Sequence, residues 1–480
     1  MKNLILPALC AIAALPSTAT AQSNEMGLLS RMNFNATGGE QTGDAAIAAM
    51  RDAALESDTL AFSITEGLTT EIGPRLAGTE AEARARAWAV SRLSDLGFSN
   101  VVIETYQMPT WVRGVETAEI TAPYPQAMHV TALGRSASTG DVGLRAEIVA
   151  FATVAELRAA PMGSLTGKIV YVGHHMERTQ DGSGYGFAGP ARWNASSLAS
   201  ERGAAAVVIR SVGTDTHRNP HTGGTNWAEG VAPIPAGALS NPDADNLERM
   251  VALGRPVTMH LTLTPQWLGD QESGNVIADI PGSDPDAPMI IAACHLDSWD
   301  LATGAFDDAA GCGIITAAAH RILESGVQPR RTIRLLWAGA EEVGLFGARA
   351  YAERHSAEEH AVAAESDFGA DRVWRVEFNL PESASGDADR ITGLLAPLGI
   401  PRSPIPASGG ADTSPLVSQG VWAIDLQQDG TRYFDLHHTP DDTLDKIDPA
   451  QMRQNVAAWT VMLAVMANSE AELSLPQTAE

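Results

Sequence analysis

The sequence predicts an α/β fold: a mostly parallel, mixed sheet sandwiched by helices and interrupted by a mostly-β insert. Three observations carry this reading. From residue 274 onward, continuous apolar strand-like runs alternate with helical segments, the pattern of a parallel sheet covered on both faces. The stretch 118–266 instead strings short strand-like runs between Gly- and Pro-rich loops. Apolar residues at 44% and charged residues at 19% belong to a globular chain, neither disordered nor coiled-coil. At 480 residues, roughly three domains' worth of length, the chain can bury a large core without disulfide staples.

The N-terminus opens with Met1-Lys2-Asn3, an apolar run from Leu4 to Leu15, and then Ala19-Thr20-Ala21. A basic start, a short apolar stretch and small residues at alternate positions describe a secretory signal cleaved after Ala21. The run is too short to anchor in a bilayer. The expected organisation is a signal over 1–21, a core over 22–117 plus 267–480, and the insert over 118–266. The mature chain is expected to be exported, periplasmic or extracellular. Acidic residues outnumber basic ones 58 to 32, a net charge of −26. Nucleic acid and anionic membrane surfaces would repel such a chain, so neither is an expected partner.

Residues 44–57 and 59–71 read as helices. Thr79 caps a third, with Glu82 three residues on as its capping-box partner. Val90, Leu93 and Leu96 give that helix an apolar stripe, and Gly97 stops it. VVIETYQ at 101–107 is a strand. Within the insert, AEIVAF, KIVYVG, AAAVVIR and VTMHLTL are strands, with a helix around 193–203. Beyond it, NVIADI, MIIAACH, TIRLLWA and VWAIDLQ are strands, and 309–325, 343–354 and 450–467 are helices. Cys294 ends an apolar run and Cys312 lies in a helix of small residues. Two cysteines form no disulfide framework and match no zinc-thiolate spacing. They read as buried thiols, with a single bridge between them as the alternative.

The chemistry falls at the C-terminal ends of the predicted strands, where open α/β sheets place ligand sites. His295 and Asp297 share a face, because strand residues two apart point the same way. Asp307-Asp308 then opens a helix of small residues. Asp308 can cap it, which leaves Asp307 free to bind a cation. Glu341-Glu342 leaves the apolar strand TIRLLWA, where burial is costly unless the carboxylates are paired or metal-bound. One such neighbour can coordinate while the other stays free as general base. Glu365-Ser366-Asp367 and His437-His438-Thr439-Pro440 complete the set. Each group alone is a weak signal; in this order, carboxylates and imidazoles at successive strand ends form a donor set suited to zinc.

These motifs, HLDSWD, AFDDAAG, GAEEVG, ESD and HHTPDDT, resemble those of the dizinc exopeptidase family that includes bacterial leucyl aminopeptidases and carboxypeptidase Q. The form of HLDSWD, the ESD triplet and the doubled histidine resemble the carboxypeptidase Q branch most. VVIRSVGT followed by NPHTGG is similar to the inserted segment of that branch, and Ile72–Thr79 to the start of the fold. The resemblance implies a zinc exopeptidase fold with a protease-associated-like insert, which lines the cleft or supports a homodimer. It implies two zinc ions per chain. Asp307 would bridge them, His295 and Asp367 completing one site, Glu342 and His438 the other. Glu341 would be the general base, Asp297 the orienter of His295, and a cis peptide would join Asp307 to Asp308. Tyr433 is a candidate oxyanion donor, and His221 a candidate substrate contact. A water between the ions, acidified enough to yield hydroxide near neutral pH, would attack the scissile carbonyl.

The implied activity is hydrolysis of dipeptides or short peptides by a carboxypeptidase- or dipeptidase-like enzyme. The alternatives are an aminopeptidase of the same family and a single-zinc glutaminyl-cyclase-like transferase. The sequence departs from the carboxypeptidase Q pattern at Pro440, where relatives carry a second histidine, and over Ser408–Thr413. A serine hydrolase, a helical HExxH protease and a Rossmann dehydrogenase all lack their motifs here.

Overall fold

The computed structural model describes residues 43–474; the expected signal segment lies outside them. A seven-stranded mixed sheet forms the larger half. Its spatial order is Ser99–Val112, Gln266–Ile280, Ile333–Ala338, Met289–His295, His360–Glu365, Trp422–Gln428 and Val373–Asn379. Met289–His295 pairs in parallel with both of its neighbours, and His360–Glu365 pairs in parallel with Trp422–Gln428. The outer pairings are antiparallel. The four central parallel strands therefore end at one edge of the sheet. The sequence reading assigns no element to 360–379, where the structure has two strands; HAVAAE is short and has a polar residue at both ends, which masks its apolar middle.

The three innermost strands are buried at every residue but the partly buried Met289, as their continuous apolar runs require. Helices Leu60–Gly67, Ala310–Glu324 and Pro449–Ala467 pack into the largest core cluster on one face. Phe346–Arg354 and Ser414–Ser418 contribute to the cluster on the other. Small residues in Ala310–Glu324 permit close approach. A Cβ at Gly311 would collide with the carbonyl of Ser366, and one at Gly313 with that of Ala61. Thr79 caps Glu80–Asp95 by accepting the Glu82 N–H. The capping box is only half formed, because the Glu82 side chain is buried against Arg86 and Ser273 instead. Leu93 is buried in the core, with Val90 and Leu96 partly buried beside it.

A second sheet of eight strands lies between Glu116 and Leu263. Its centre is parallel, and helices Val154–Ala159, Ser183–Glu201 and Asn241–Ala252 accompany it. The insert is thus mixed α/β and not mostly β. The expected helix at 193–203 begins ten residues earlier, inside DGSGYGFAGP. Glycines that read as a loop serve packing there. A Cβ at Gly184 would strike the carbonyl of Glu177, and Gly189 lies directly under the Trp193 ring.

Cys294 and Cys312 are joined in a disulfide, so the buried-thiol reading is corrected. The last strand residues before His295 and the first turn of Ala310–Glu324 bring the two sulfurs together, a proximity that local sequence does not reveal.

Candidate metal centre

His295 is the last residue of its strand and fully buried. Its Nδ1–H donates to the Asp297 carbonyl at 3.0 Å, which leaves Nε2 facing Asp307 Oδ1 at 3.0 Å and Asp367 Oδ1 at 3.2 Å. The orienting atom is therefore the main-chain oxygen of Asp297; its carboxylate lies 3.9 Å away and accepts the Glu341 N–H at 3.1 Å. Asp297 thereby ties the strand end that carries His295 to the one that carries the paired glutamates.

Asp307 lies in the turn before Ala310–Glu324, with backbone angles outside the helical region. A cis peptide joins it to Asp308. Asp308 accepts the N–H groups of His295 and Gly311 at 3.2 and 3.0 Å, so it locks the helix start. The turn is held from behind by Asp442, whose carboxylate accepts the N–H groups of Ala305, Phe306 and Asp307. Buried Arg75, from the Ile72–Thr79 segment, donates to the carbonyls of Leu296, Thr303 and Gly304.

The other carboxylate oxygen of Asp307 lies 3.4 Å from His438 Nε2, and His438 Nε2 lies 2.8 Å from Glu342 Oε2. His438 has a positive φ of 61°. Its Nδ1 faces the carbonyl of Thr222 at 3.2 Å. The neighbouring His437 stacks on His438 with ring centroids 3.5 Å apart, and its Nε2 is farther from Asp307, at 3.8 Å. Asp307 thus stands between His295 and Asp367 on one side and Glu342 and His438 on the other. Donor atoms of His295, Asp307 and Glu342 lie within 4.8 Å of one another.

This cluster fits a cation by its own chemistry. Asp307 Oδ2 is buried and accepts no hydrogen bond, a costly state for a carboxylate oxygen. Burial pushes the carboxyls of Glu342 and Asp367 up, and Asp307 reinforces the rise in both. Glu341 is pushed up to about 8 by burial, with Asp367, Asp297 and Asp307 adding repulsion. Burial also lowers His438 to about 3, with the Arg192 charge beside it, so its imidazole is neutral, the ligating form. Crowded carboxylates with imidazoles are the nitrogen and oxygen donors zinc takes.

The cluster opens into a cleft of about 390 Å³ that Glu341, Tyr433, Tyr185 and Phe368 also line. Tyr433 is buried, and both burial and the charge of Asp307 push its hydroxyl pKa well up, so it stays protonated as a donor. His221 does not face the cleft. It is 1% exposed, with Nδ1 on the His437 carbonyl and Nε2 on Asp215. Its expected substrate contact is corrected: one ring nitrogen holds the His437 backbone and the other is consumed by Asp215.

Sequence reading missed the insert's side of the cleft. Tyr185 stacks on Phe434 and meets His437 edge-on. Arg192 donates to the Tyr185 hydroxyl and lies against His438. The NPHTGG motif pointed to the right loop, where the contact is made by the Thr222 main chain. Missed as well is Asp412, which is buried with Glu365 beside Asp367. Glu365 accepts the Asp412 N–H at 2.7 Å; burial pushes both carboxyls up, with Asp367 adding to the rise in Glu365 and Glu365 to that in Asp412.

Residues 275–463 match the family described as Peptidase family M28. Carboxypeptidase Q of Mus musculus is 31% identical over 406 residues, 84% of each chain. The chain belongs to peptidase family M28. Homo sapiens carboxypeptidase Q is 31% identical over 405 residues, again 84% of each chain. The crystal structure of a Peptidase M28 precursor from Shewanella amazonensis SB2B superposes with a TM-score of 0.88 at 43% identity, covering 92% of this chain and 100% of that one. A zinc aminopeptidase from Bacillus subtilis shares the fold, with a TM-score of 0.63 at 20% identity over 84% of this chain and 93% of that one. Membership of M28, together with the clustered ligand-type side chains, makes this protein a metallopeptidase. Among the described residues, no helix is long and apolar enough to cross a membrane.

Proposed function

We propose that this M28 peptidase is an exported exopeptidase that cleaves dipeptides or short peptides at a two-zinc centre. The observation that carries the reading is Asp307, whose two carboxylate oxygens face separate ligand groups. His295 and Asp367 would hold one ion with Asp307, and Glu342 and His438 the other. When bound, such a pair polarises a scissile carbonyl and lowers the pKa of water near neutrality.

The chain's own residues then divide the work. Glu341 adjoins ligand Glu342, forms no ion pair with either histidine among the described residues, and lines the cleft. It takes the proton of the attacking water on a carboxylate oxygen and returns it to the departing amine. Burial, which pushes this carboxyl up to about 8 in the metal-free site, makes its carboxylate a stronger base than an exposed glutamate. The Tyr433 hydroxyl donates to the oxygen that gains charge as the carbonyl is attacked. Asp297 holds the Glu341 main chain and the His295 ring in register.

The test joins elemental analysis to a dipeptide screen. Two zinc ions per chain with dipeptide hydrolysis support the reading. One zinc ion, with cyclisation of N-terminal glutamine instead of hydrolysis, would replace it.

A further inference from the structure

Next to the metal cleft lies a larger cavity of about 520 Å³. It shares Arg135, Gly224, Asn226, Gly344 and Leu345 with the cleft, so the two are continuous. Trp299, part of its wall, also backs Glu342 and His438, which places the cavity on that half of the metal centre. Its walls are apolar, with Met108, Trp111, Trp299 and Phe346 among them, and its two charged side chains are Arg135 and Arg349. No carboxylate lines it. In a chain of net charge −26 this local excess of positive charge runs against the composition.

Neither arginine has an ion-pair partner among the described residues. Arg135 donates to Asn226 Oδ1 at 3.2 Å and to the Val343 carbonyl. It is held at a positive φ of 68°, uncommon outside glycine. Gly344 makes room for it, since a Cβ there would collide with the guanidinium. Burial and the charge of Arg349 both hold Arg135 below its ordinary pKa. Two guanidinium groups without a counter-ion, over an aromatic wall, form a receptor for an anion attached to an apolar group. The opposite flank has the reverse polarity. Beyond Asp367, a cavity of about 200 Å³ is lined by Asp181, Glu365 and Asp425 and has no cationic side chain.

We propose that this cavity binds the C-terminal residue of the substrate, with Arg135 and Arg349 holding its free carboxylate and the tryptophan wall its bulky apolar side chain. This rests on the peptidase reading above and deepens it. The bond cleaved is then the one before a free C-terminal residue, as in a dipeptidase or carboxypeptidase. The enzyme prefers large apolar residues at that end, and peptides blocked as amides are poor substrates.

The experiment compares alanyl-phenylalanine with its C-terminal amide on the zinc-loaded protein and its Arg135→Gln, Arg349→Gln and Arg349→Lys variants. The free acid should be cleaved at least 10-fold more efficiently in kcat/KM, mainly through KM. Either glutamine variant should collapse that ratio towards one, and Arg349→Lys should keep part of it. Arg349 is exposed on its helix, so its variants test the site without a folding defect. Equal cleavage of acid and amide by the wild type, or a ratio that survives in both glutamine variants, overturns the proposal. Calorimetric binding of 3-phenylpropionate and its amide is the second readout. Arginine-dependent binding of the acid without dipeptide cleavage would sink the peptidase reading and leave the carboxylate site standing. Equal affinity for acid and amide would sink the site even if dipeptides are cleaved.

Discussion

His438 Nε2 lies 2.8 Å from Glu342 Oε2, although Glu342 follows the strand Ile333–Ala338 and His438 follows the short helix Tyr433–Leu436, far away in sequence. Asp307 sits against this pair and, through its other oxygen, against His295. One carboxylate thus links two halves of a donor cluster.

Asp307→Asn should therefore cost more metal than any other single ligand change. Elemental analysis is expected to find at most one zinc ion per chain in this variant, against two in the wild type, with peptidase activity down by about 10³-fold or more. His438→Ala should lose one ion and keep the other. Retention of both ions by Asp307→Asn would remove the bridging role.

Glu341→Gln should separate chemistry from binding. A gain or loss of roughly 10²–10⁴ in rate is what a positioned general base supplies. The expected result is a fall of that size in kcat with zinc content unchanged and KM nearly so. Tyr433→Phe should lower kcat by roughly 10–10³-fold, again with zinc content intact.

Zinc binding should release protons and strengthen as pH rises. In the metal-free protein Glu341 is raised from 4.5 to about 8, and Glu342 and Asp367 are raised as well. Protons held by these raised carboxyls must leave as the ions bind. The same shifts act on folding. A carboxyl whose pKa is higher folded than unfolded contributes stability that is present below about 4.5 and lost as pH rises towards 8. The melting temperature of metal-free protein should fall between pH 5 and 8, while zinc-loaded protein should not show that fall. Calorimetry in buffers of different ionisation enthalpy measures the protons released.

Asp442→Ala should destabilise the fold without removing a ligand. It leaves the N–H groups of Ala305, Phe306 and Asp307 without their acceptor. At roughly 1–3 kcal/mol for each buried donor left unpaired, partial relaxation still leaves a loss of about 3 kcal/mol, readable in chemical denaturation. Zinc affinity should fall with it, because the same turn carries Asp307.

Much of the metal centre was legible because strand ends are local features. An apolar run that stops at His295 or Ala338 marks where a parallel strand leaves the core, and charged residues just beyond it must lie at one edge of the sheet. The strands within 360–379 escaped notice, although Asp367 did not, because HAVAAE is too short to carry a period. Glycines in DGSGYGFAGP read as loop, although the helix uses them for contact with Glu177 and Trp193.

By itself, the sequence determined the alternation of strands and helices and the donor types gathered at the strand ends. Only the tertiary structure decided which atoms face each other. It turned the Asp297 carbonyl to His295, set His438 nearer the cluster than His437, joined Cys294 to Cys312, and spent His221 on Asp215 and a backbone carbonyl. It also brought Arg135 and Arg192 from the insert to the rim of the cleft. The physical reason is range. Strand periodicity and helix caps act over a few residues and leave a mark in composition. The docking of an insert against a sheet edge depends on shape and on single hydrogen bonds between distant segments, and these have no repeat to read.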